Sequence, residues 1–168
     1  ADAIFMPPNN AKRFFTPDKT GTRVSPGFIG DSIAAHMRNR FPLREDPGRV
    51  RDILRESGAH MCVSYLPVGS ATASAFYAQA CIDTGVAFIN CMPEFIASDA
   101  VWAARFEAAG IPCAGDDVMS QFGATLICKE IAHRMRNRGV TVRSIAQLNS
   151  GGNDDFLNMQ DPSRLLKK

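Results

Sequence analysis

Two short stretches concentrate the groups able to do chemistry. LNSGGNDDFLNM, residues 148–159, sets Asn149, Asn153 and Asn158, two glycines and the adjacent carboxylates of Asp154 and Asp155 beside a short apolar segment. That is either an ordinary polar loop or a place where backbone and carboxylates approach a polar ligand. GDDVMSQFGATLICKEI, residues 115–131, carries a second carboxylate pair, Asp116–Asp117, and runs from a glycine-containing polar stretch straight into a helical pattern. The first N–H groups of a helix have no intrahelical acceptor. Ser120, Gly123 and Thr125 put small or hydroxyl-bearing side chains beside them, an arrangement suited to a phosphate. Simple helix capping by Ser120 or Thr125 is the equally ordinary alternative. The aspartate pairs can orient a ribose hydroxyl, hold a cation or position a lysine ammonium, or they are solvated loop carboxylates. The closing RLLKK offers an ammonium, although lysines at chain ends are usually just solvated.

The other reactive residue types are scattered. Cys62, Cys81, Cys91, Cys113 and Cys128 include no C-x-x-C and mostly lie in apolar surroundings, so they read as reduced core thiols of a cytoplasmic protein. His36, His60 and His133 are isolated from one another and from cysteine at ligand spacing, so no metal site is expected. There is no H-E-x-x-H, no Walker glycine loop and no strand-linked G-x-G-x-x-G. The GGN at 151–153 is not expected to open a helix.

These residues need a scaffold, and from residue 48 the pattern supplies one. GRVRDILRES is helical up to Gly58; MCVSYL (61–66) is a buried strand ended by Pro67 and Gly69. SATASAFYAQACIDTG is a helix capped by Ser70 or Thr72 and closed by Gly85, followed by the strand VAFIN (86–90). SDAVWAARFEAAG (98–110) has a serine cap and a glycine stop, and IPCAG (111–115) is a third short strand. Strand, helix, strand, helix, strand implies a parallel sheet with right-handed crossovers, and the apolar runs suggest a sheet covered on both faces. Ligands then sit beyond the strand ends, at YLPVGS, NCMPEF and GDDVMSQFGAT. A helix over roughly 121–138 follows, and VTVRSIAQL (140–148) alternates like a strand, so a different sheet is expected to begin near residue 120. In the first 47 residues, TPDKTGTRVSPG reads as irregular and DSIAAHMRNRF as a helix capped by Asp31.

The totals bound the class. A chain of 168 residues, 45% apolar and 21% charged, is an ordinary globular one of one domain or slightly more. A net charge of +2 gives no case for nucleic acid or a membrane surface, and no apolar run is long enough to span a bilayer. The fold class expected is α/β: the second half of a doubly wound parallel sheet, without the half that carries the dinucleotide fingerprint.

VSYLPVGS (63–70), GVAFINCMPEFIASD (85–99), GDDVMSQFGAT (115–125) and QLNSGGNDDFLNM (147–159), in this order, closely resemble the bacterial and archaeal myo-inositol-1-phosphate synthases. The resemblance runs along the whole chain and is loosest over 11–60. It implies a redox-neutral cyclisation of D-glucose 6-phosphate to 1D-myo-inositol 3-phosphate in the cytoplasm by an NAD-dependent homotetramer. In that reaction a hydride leaves C5 for NAD, the ketone acidifies C6, the enol closes on the C1 aldehyde, and the hydride returns. Residues 1–118 would then be the C-terminal half of the Rossmann domain, and 119–168 the start of an α+β catalytic and tetramerisation domain.

Residue by residue, the resemblance implies catalytic roles for Asp117, Asp155 and Lys168. It implies substrate-phosphate contacts for Ser120, Gly123, Ala124 and Thr125, and cofactor contacts for Ser64, Gly69, Ser70, Asn90, Asp117 and Asn149. Met119 stands where relatives usually have lysine (DDIKSQ), and Asp154 where they often have a small or neutral polar residue. The first residue is Ala1, and the chain ends inside the family's lysine segment, so an internal piece of a longer synthase is expected. The alternatives are a non-catalytic fragment or assembly partner, and a relative that cyclises another phosphosugar.

Overall fold

The computed structural model describes residues 18, 21–40, 42–119, 123–149, 151 and 153–165. They divide into two compact units, one from the described parts of 1–118 and 152–168, the other from 119–151.

In the first unit, helix α1 (Val50–Glu56) precedes strand β1 (Met61–Ser64), helix α2 (Ala71–Thr84), strand β2 (Ala87–Asn90), helix α3 (Ala100–Ala109) and strand β3 (Cys113–Gly115). The strands form one parallel sheet in the order β1-β2-β3, with Phe88 opposite Cys62 on one side and Cys113 on the other. This is the expected α/β arrangement, with α2 and α3 as crossovers. Phe88 is fully buried with Ala78 and Cys81 of α2 and Phe106 of α3, and the rings of Phe88 and Phe106 stack at 6.2 Å. Leu54 of α1 and Trp102 of α3 close the edge of the cluster. Truncating Phe88 to alanine would cost about 3–5 kcal/mol, the usual loss for a buried aromatic ring.

The opposite face of the sheet is not covered by the described helices: Met61 is 52% and Val63 45% exposed. The expectation of two covered faces fails here for a topological reason. A sheet whose order simply follows the sequence puts successive crossovers on the same side, and a doubly wound sheet fills its second side only where the strand order reverses.

Both crossover helices end on glycines in the left-handed region, Gly85 at φ 74° and Gly110 at φ 67°. Their starts differ from the sequence reading. Asp99, not Ser98, caps α3, accepting from the N–H groups of Val101 and Trp102 at 3.0 Å. Neither Ser70 nor Thr72 caps α2. Its first N–H groups, on Thr72 and Ala73, donate to the carboxylate of Asp31 at 2.8 and 3.0 Å. Asp31 therefore does not open a helix over 31–41, and only a 3-10 turn, Ala35–Arg40, forms there. A cap reaching across 41 residues satisfies the same orphan donors as a local one, but local propensity cannot reveal it.

The last segment also departs from expectation. Asn153 accepts from the N–H of Phe156 at 3.2 Å and caps a short helix, α5 (Asp154–Asn158), so the GGN stretch does lead into a helix. A 3-10 turn, Pro162–Leu165, follows.

The second unit contains helix α4 (Ala124–Asn137) and a run without regular secondary structure, residues 140–149. The expected strand at 140–148 has no ladder partner among the described residues. Alternating hydrophobicity marks a strand-competent segment, but a strand exists only when a second edge takes its hydrogen bonds. Ile127, Ile131 and Met135 of α4, with Val140 and Ile145, remain exposed.

Asp31→Ala is expected to lower the unfolding free energy by about 1–2 kcal/mol, the usual value of a side-chain N-cap. Thr72→Ala should change it little. Urea titration of the two variants distinguishes a cap supplied from afar from a local one.

Candidate functional site

At the ends of β2 and β3 the two aspartates of the GDD stretch part company. Asp116 turns inward and accepts five hydrogen bonds: from Asn90 Nδ2 (2.9 Å), from the N–H groups of Ile96 (3.0 Å), Ala97 (3.1 Å) and Ser98 (3.1 Å), and from Ser98 Oγ (2.7 Å). Burial pushes its carboxyl upward, but the Ser98 hydroxyl, the Ser98 and Ala97 amides and Asn90 outweigh it and hold the group below the usual carboxylate range. A carboxylate so satisfied organises the loop and is a poor general base. The peptide between Gly115 and Asp116 is cis. Gly115 itself lies so close to β2 that an added Cβ would sit 2.2 Å from the carbonyl oxygen of Asn90.

Asp117 faces the other way. It adopts a left-handed conformation at φ 50°, which aspartate tolerates better than most residues. Its N–H donates to Met92 O at 3.0 Å, and that of Val118 to Cys91 O at 3.1 Å, while the Asp117 side chain is exposed. Of the pair read from the sequence, only Asp117 can meet a ligand.

Asn90 is fully buried: besides Asp116 it donates to Glu94 O, and its Oδ1 accepts from Met92 N–H at 3.2 Å. Both ends of its amide are engaged within the chain, which makes it a residue that shapes the strand end. At the end of β1, Ser70 is fully buried and donates to Pro67 O. Ser64 is buried there too, with its hydroxyl unpartnered among the described residues.

Gly69 (φ 83°) is covered by Arg164, whose Cγ would lie 2.6 Å from an added Cβ. Arg164 was not singled out in the sequence, where it begins a tail that reads as solvated. It is 7% exposed, and its guanidinium donates to Val68 O (2.8 Å), Ser32 O (3.4 Å) and Asp31 O. Asn158 works beside it, accepting from Ala34 N–H (2.7 Å) and donating to Ser32 O (3.2 Å). Residues 153–165 are thereby strapped across 31–34 and 67–69. The strap brings Asp154 and Asp155 to the β1 end, where they line a cavity of about 260 Å³ with Ser32, Met37, Pro67 and Asn158. Asp154 pairs with Arg40 at 3.3 Å, and Asp155 is exposed.

In the second unit, Gly123 precedes α4 with open space where a Cβ would stand and makes no side-chain cap. Ala124 and Thr125 form the first turn and are exposed. Thr125 does not cap the helix; its Oγ1 accepts from Gln147 Nε2 at 3.3 Å. The same Gln147 amide donates to Asn149 Oδ1 at 2.8 Å, which joins two of the expected ligand-contacting residues. Lys129 Nζ lies 3.1 Å from Met119 Sδ. Ser120 and Lys168 lie outside the described residues. No group of three or more His, Cys, Asp or Glu that could hold a metal occurs among the described residues, and no described helix is long and apolar enough to cross a membrane.

The parallel sheet with its elaborated strand ends defines a Rossmann-type α/β unit, and a solved structure, the crystal structure of Ari2, matches it with a TM-score of 0.70 at 34% identity, over 96% of this chain and 46% of that one. The family model for myo-inositol-1-phosphate synthase matches residues 123–168. Inositol-3-phosphate synthase of Mycolicibacterium smegmatis is 45% identical over all of this chain, and that of Corynebacterium glutamicum 44%, each covered to 47% of its own length. That of Mycobacterium tuberculosis strain H37Rv is 44% identical, with 46% of its length covered. The chain is similar along its whole length to inositol-3-phosphate synthases and spans about half the length of the curated relatives it matches.

The lowered carboxyl of Asp116 fixes the sign of a pH effect. A depressed folded value contributes stability that is fully present above the unfolded value near ~4 and is lost as pH falls through the folded one. Asp116→Asn is expected to be less stable than the parent chain at neutral pH, with the gap closing as pH drops below about 4. A gap independent of pH in denaturant titrations would overturn this role.

Proposed function

We propose that the protein carrying this chain is an inositol-3-phosphate synthase that cyclises D-glucose 6-phosphate to 1D-myo-inositol 3-phosphate, with NAD as a recycled hydride carrier, in a homotetramer. The observation that supports the reading is 44–45% identity, over all of this chain, to enzymes of that name from three genera.

The residues on hand fit one end of NAD. The orphaned buried hydroxyl of Ser64 and the exposed carboxylate of Asp117 stand at strand ends, where a parallel sheet receives a dinucleotide. Bound there, NAD supplies an acceptor and later a donor for one hydride. Asn90 and Ser70 act behind them by fixing the strand ends, since their side chains bond within the chain.

The substrate phosphate is assigned to the amino end of α4, through the N–H groups around Gly123, Ala124 and Thr125, which no described side chain caps, and to Ser120, to which the family resemblance gives the same role. Asn149, tied to Thr125 through Gln147, orients the sugar. Lys168 is the proton-transfer group and the cation that stabilises the enolate or ring-closing alkoxide, and Asp155 helps to place it.

Met119 removes an ammonium that relatives usually place beside this phosphate loop, and Lys129 returns one, with its Nζ against the Met119 sulfur. The same substitution motivates a second reading, a relative that cyclises a different phosphosugar.

The test is product analysis by NMR of the full-length protein with NAD and glucose 6-phosphate. Inositol phosphate without net NADH is the expected result. No turnover of glucose 6-phosphate but turnover of another hexose phosphate would favour the second reading. Lys129→Met is expected to raise KM for the phosphosugar about tenfold, as for loss of one charge-assisted hydrogen bond, with kcat little changed.

A further inference from the structure

Residues 153–165 carry Asp155 on α5, a helix of five residues, too short to keep its shape or its place unaided. Its position is therefore set by what the strap is tied to. The Arg40–Asp154 pair is exposed on both sides and ties little. The buried polar side chains among the described residues of the strap are Asn158 and Arg164. They meet on one acceptor, the carbonyl oxygen of Ser32, at 3.2 and 3.4 Å. The proposed cyclisation gives neither of them a role.

We propose that Arg164 is a positioning residue of the cyclisation, the clamp that fixes Asp155 at the end of β1. The inference deepens the proposed function and rests on it.

The clamp is directional. The guanidinium donates to Val68 O at 2.8 Å, in the loop that leaves β1, and to Ser32 O and Asp31 O in a segment more than thirty residues earlier. A planar fork can meet several carbonyls at once, whereas a lysine ammonium is a point charge on a flexible stem. The stem is pinned as well. Its Cγ and Cβ lie 2.6 and 2.8 Å from where a Cβ on Gly69 would stand, so Gly69 is the seat of the clamp.

The energetic cost points the same way. A buried guanidinium is expensive, and here its Nε is left without a partner. An apolar side chain would hold the strap down with less desolvation, but in no particular register. A fork that must reach three carbonyls together admits one register.

The link from clamp to carboxylate is hydrogen-bonded along its length. Arg164 N–H donates to Asp161 O at 3.1 Å, and Ser163 Oγ to the Asp161 carboxylate at 2.6 Å. Gln160 N–H donates to Leu157 O at 3.1 Å, and Met159 N–H to Asp155 O at 3.0 Å. Displacing Arg164 therefore displaces Asp155, and with it one wall of the cavity shared with Ser32 and Pro67. In the other direction Lys168 follows four residues later, so covalent reach alone keeps its Cα within about 14 Å of that of Arg164.

The experiment is a double-mutant cycle in the full-length protein with NAD and glucose 6-phosphate, reading kcat and KM per folded molecule counted by bound NAD. Arg164→Ala leaves buried carbonyls unpaired and destabilises the fold. The cycle therefore uses Arg164→Lys, which keeps the stem and one cation but not the fork. Arg164→Lys is expected to lower kcat about a hundredfold, the cost of misplacing a catalytic group by about 1 Å, with KM little changed. Combined with Asp155→Asn, it is expected to be no slower than the slower single variant, because both changes remove one interaction. Losses that multiply, or an unchanged kcat in Arg164→Lys, would overturn the proposal and leave the cyclisation standing. Should the parent protein turn over a different hexose phosphate, the same cycle on that substrate decides in the same way. A parent protein that converts no hexose phosphate overturns the cyclisation and this proposal with it.

Discussion

Everything placed at the β2 and β3 ends depends on one carboxylate. Asp116 gathers donors from Asn90, Ile96, Ala97 and Ser98, and so ties two strand ends to the loop between β2 and α3. Its hydrogen bonds hold Ser98 out of the capping position of α3, leaving that position to Asp99. They also fix the chain direction at the next residue, where Asp117 turns its carboxylate outward. A side chain that does no chemistry thus decides which of two adjacent aspartates is able to do it.

A second constraint gathers the β1 end. Residues 31–34 offer their backbone to Asn158 and Arg164, while the Asp31 side chain caps α2. Gly69 is glycine here for two independent reasons, its positive φ and the Arg164 side chain lying where a Cβ would be. The guanidinium has three backbone carbonyls as acceptors, although its Nε is unpartnered. Removing the arginine would leave several of those carbonyls unpaired in a buried place, a larger loss than the bonds themselves contribute.

The sequence made the strand–helix alternation legible because periodicity, glycine stops and short apolar runs are local signals, and all three strands and both crossovers formed close to where those signals lie. It did not make Asp31 legible as the cap of α2, because a cap from a distant residue leaves no mark on the helix it caps. Arg164 was invisible for a similar reason: its burial is created by residues more than 90 positions away. The run at 140–148 carried a true strand pattern but no statement about a partner. At the candidate site the doublet Asp116–Asp117 was found as a pair, but which member faces outward follows from tertiary hydrogen bonds. The phosphate-binding reading of the α4 start was accessible from residue types alone, and the bond from Gln147 to Thr125 was not.

The strap also has a kinetic side. Its bonds join residues up to 133 positions apart, whereas β1, α2 and β2 lie within about thirty positions of one another and the cap of α2 reaches across 41. Contacts of such unequal separation form at unequal speeds, since closing the longer loop takes more chain entropy. The β-α-β segments can therefore assemble before residues 153–165 arrive, and detachment of those residues leaves the sheet intact. Opening of the strap is then a local event, with its own free energy below that of global unfolding. Amide exchange in the bonds made by Ala34 should report it separately from the core around Phe88.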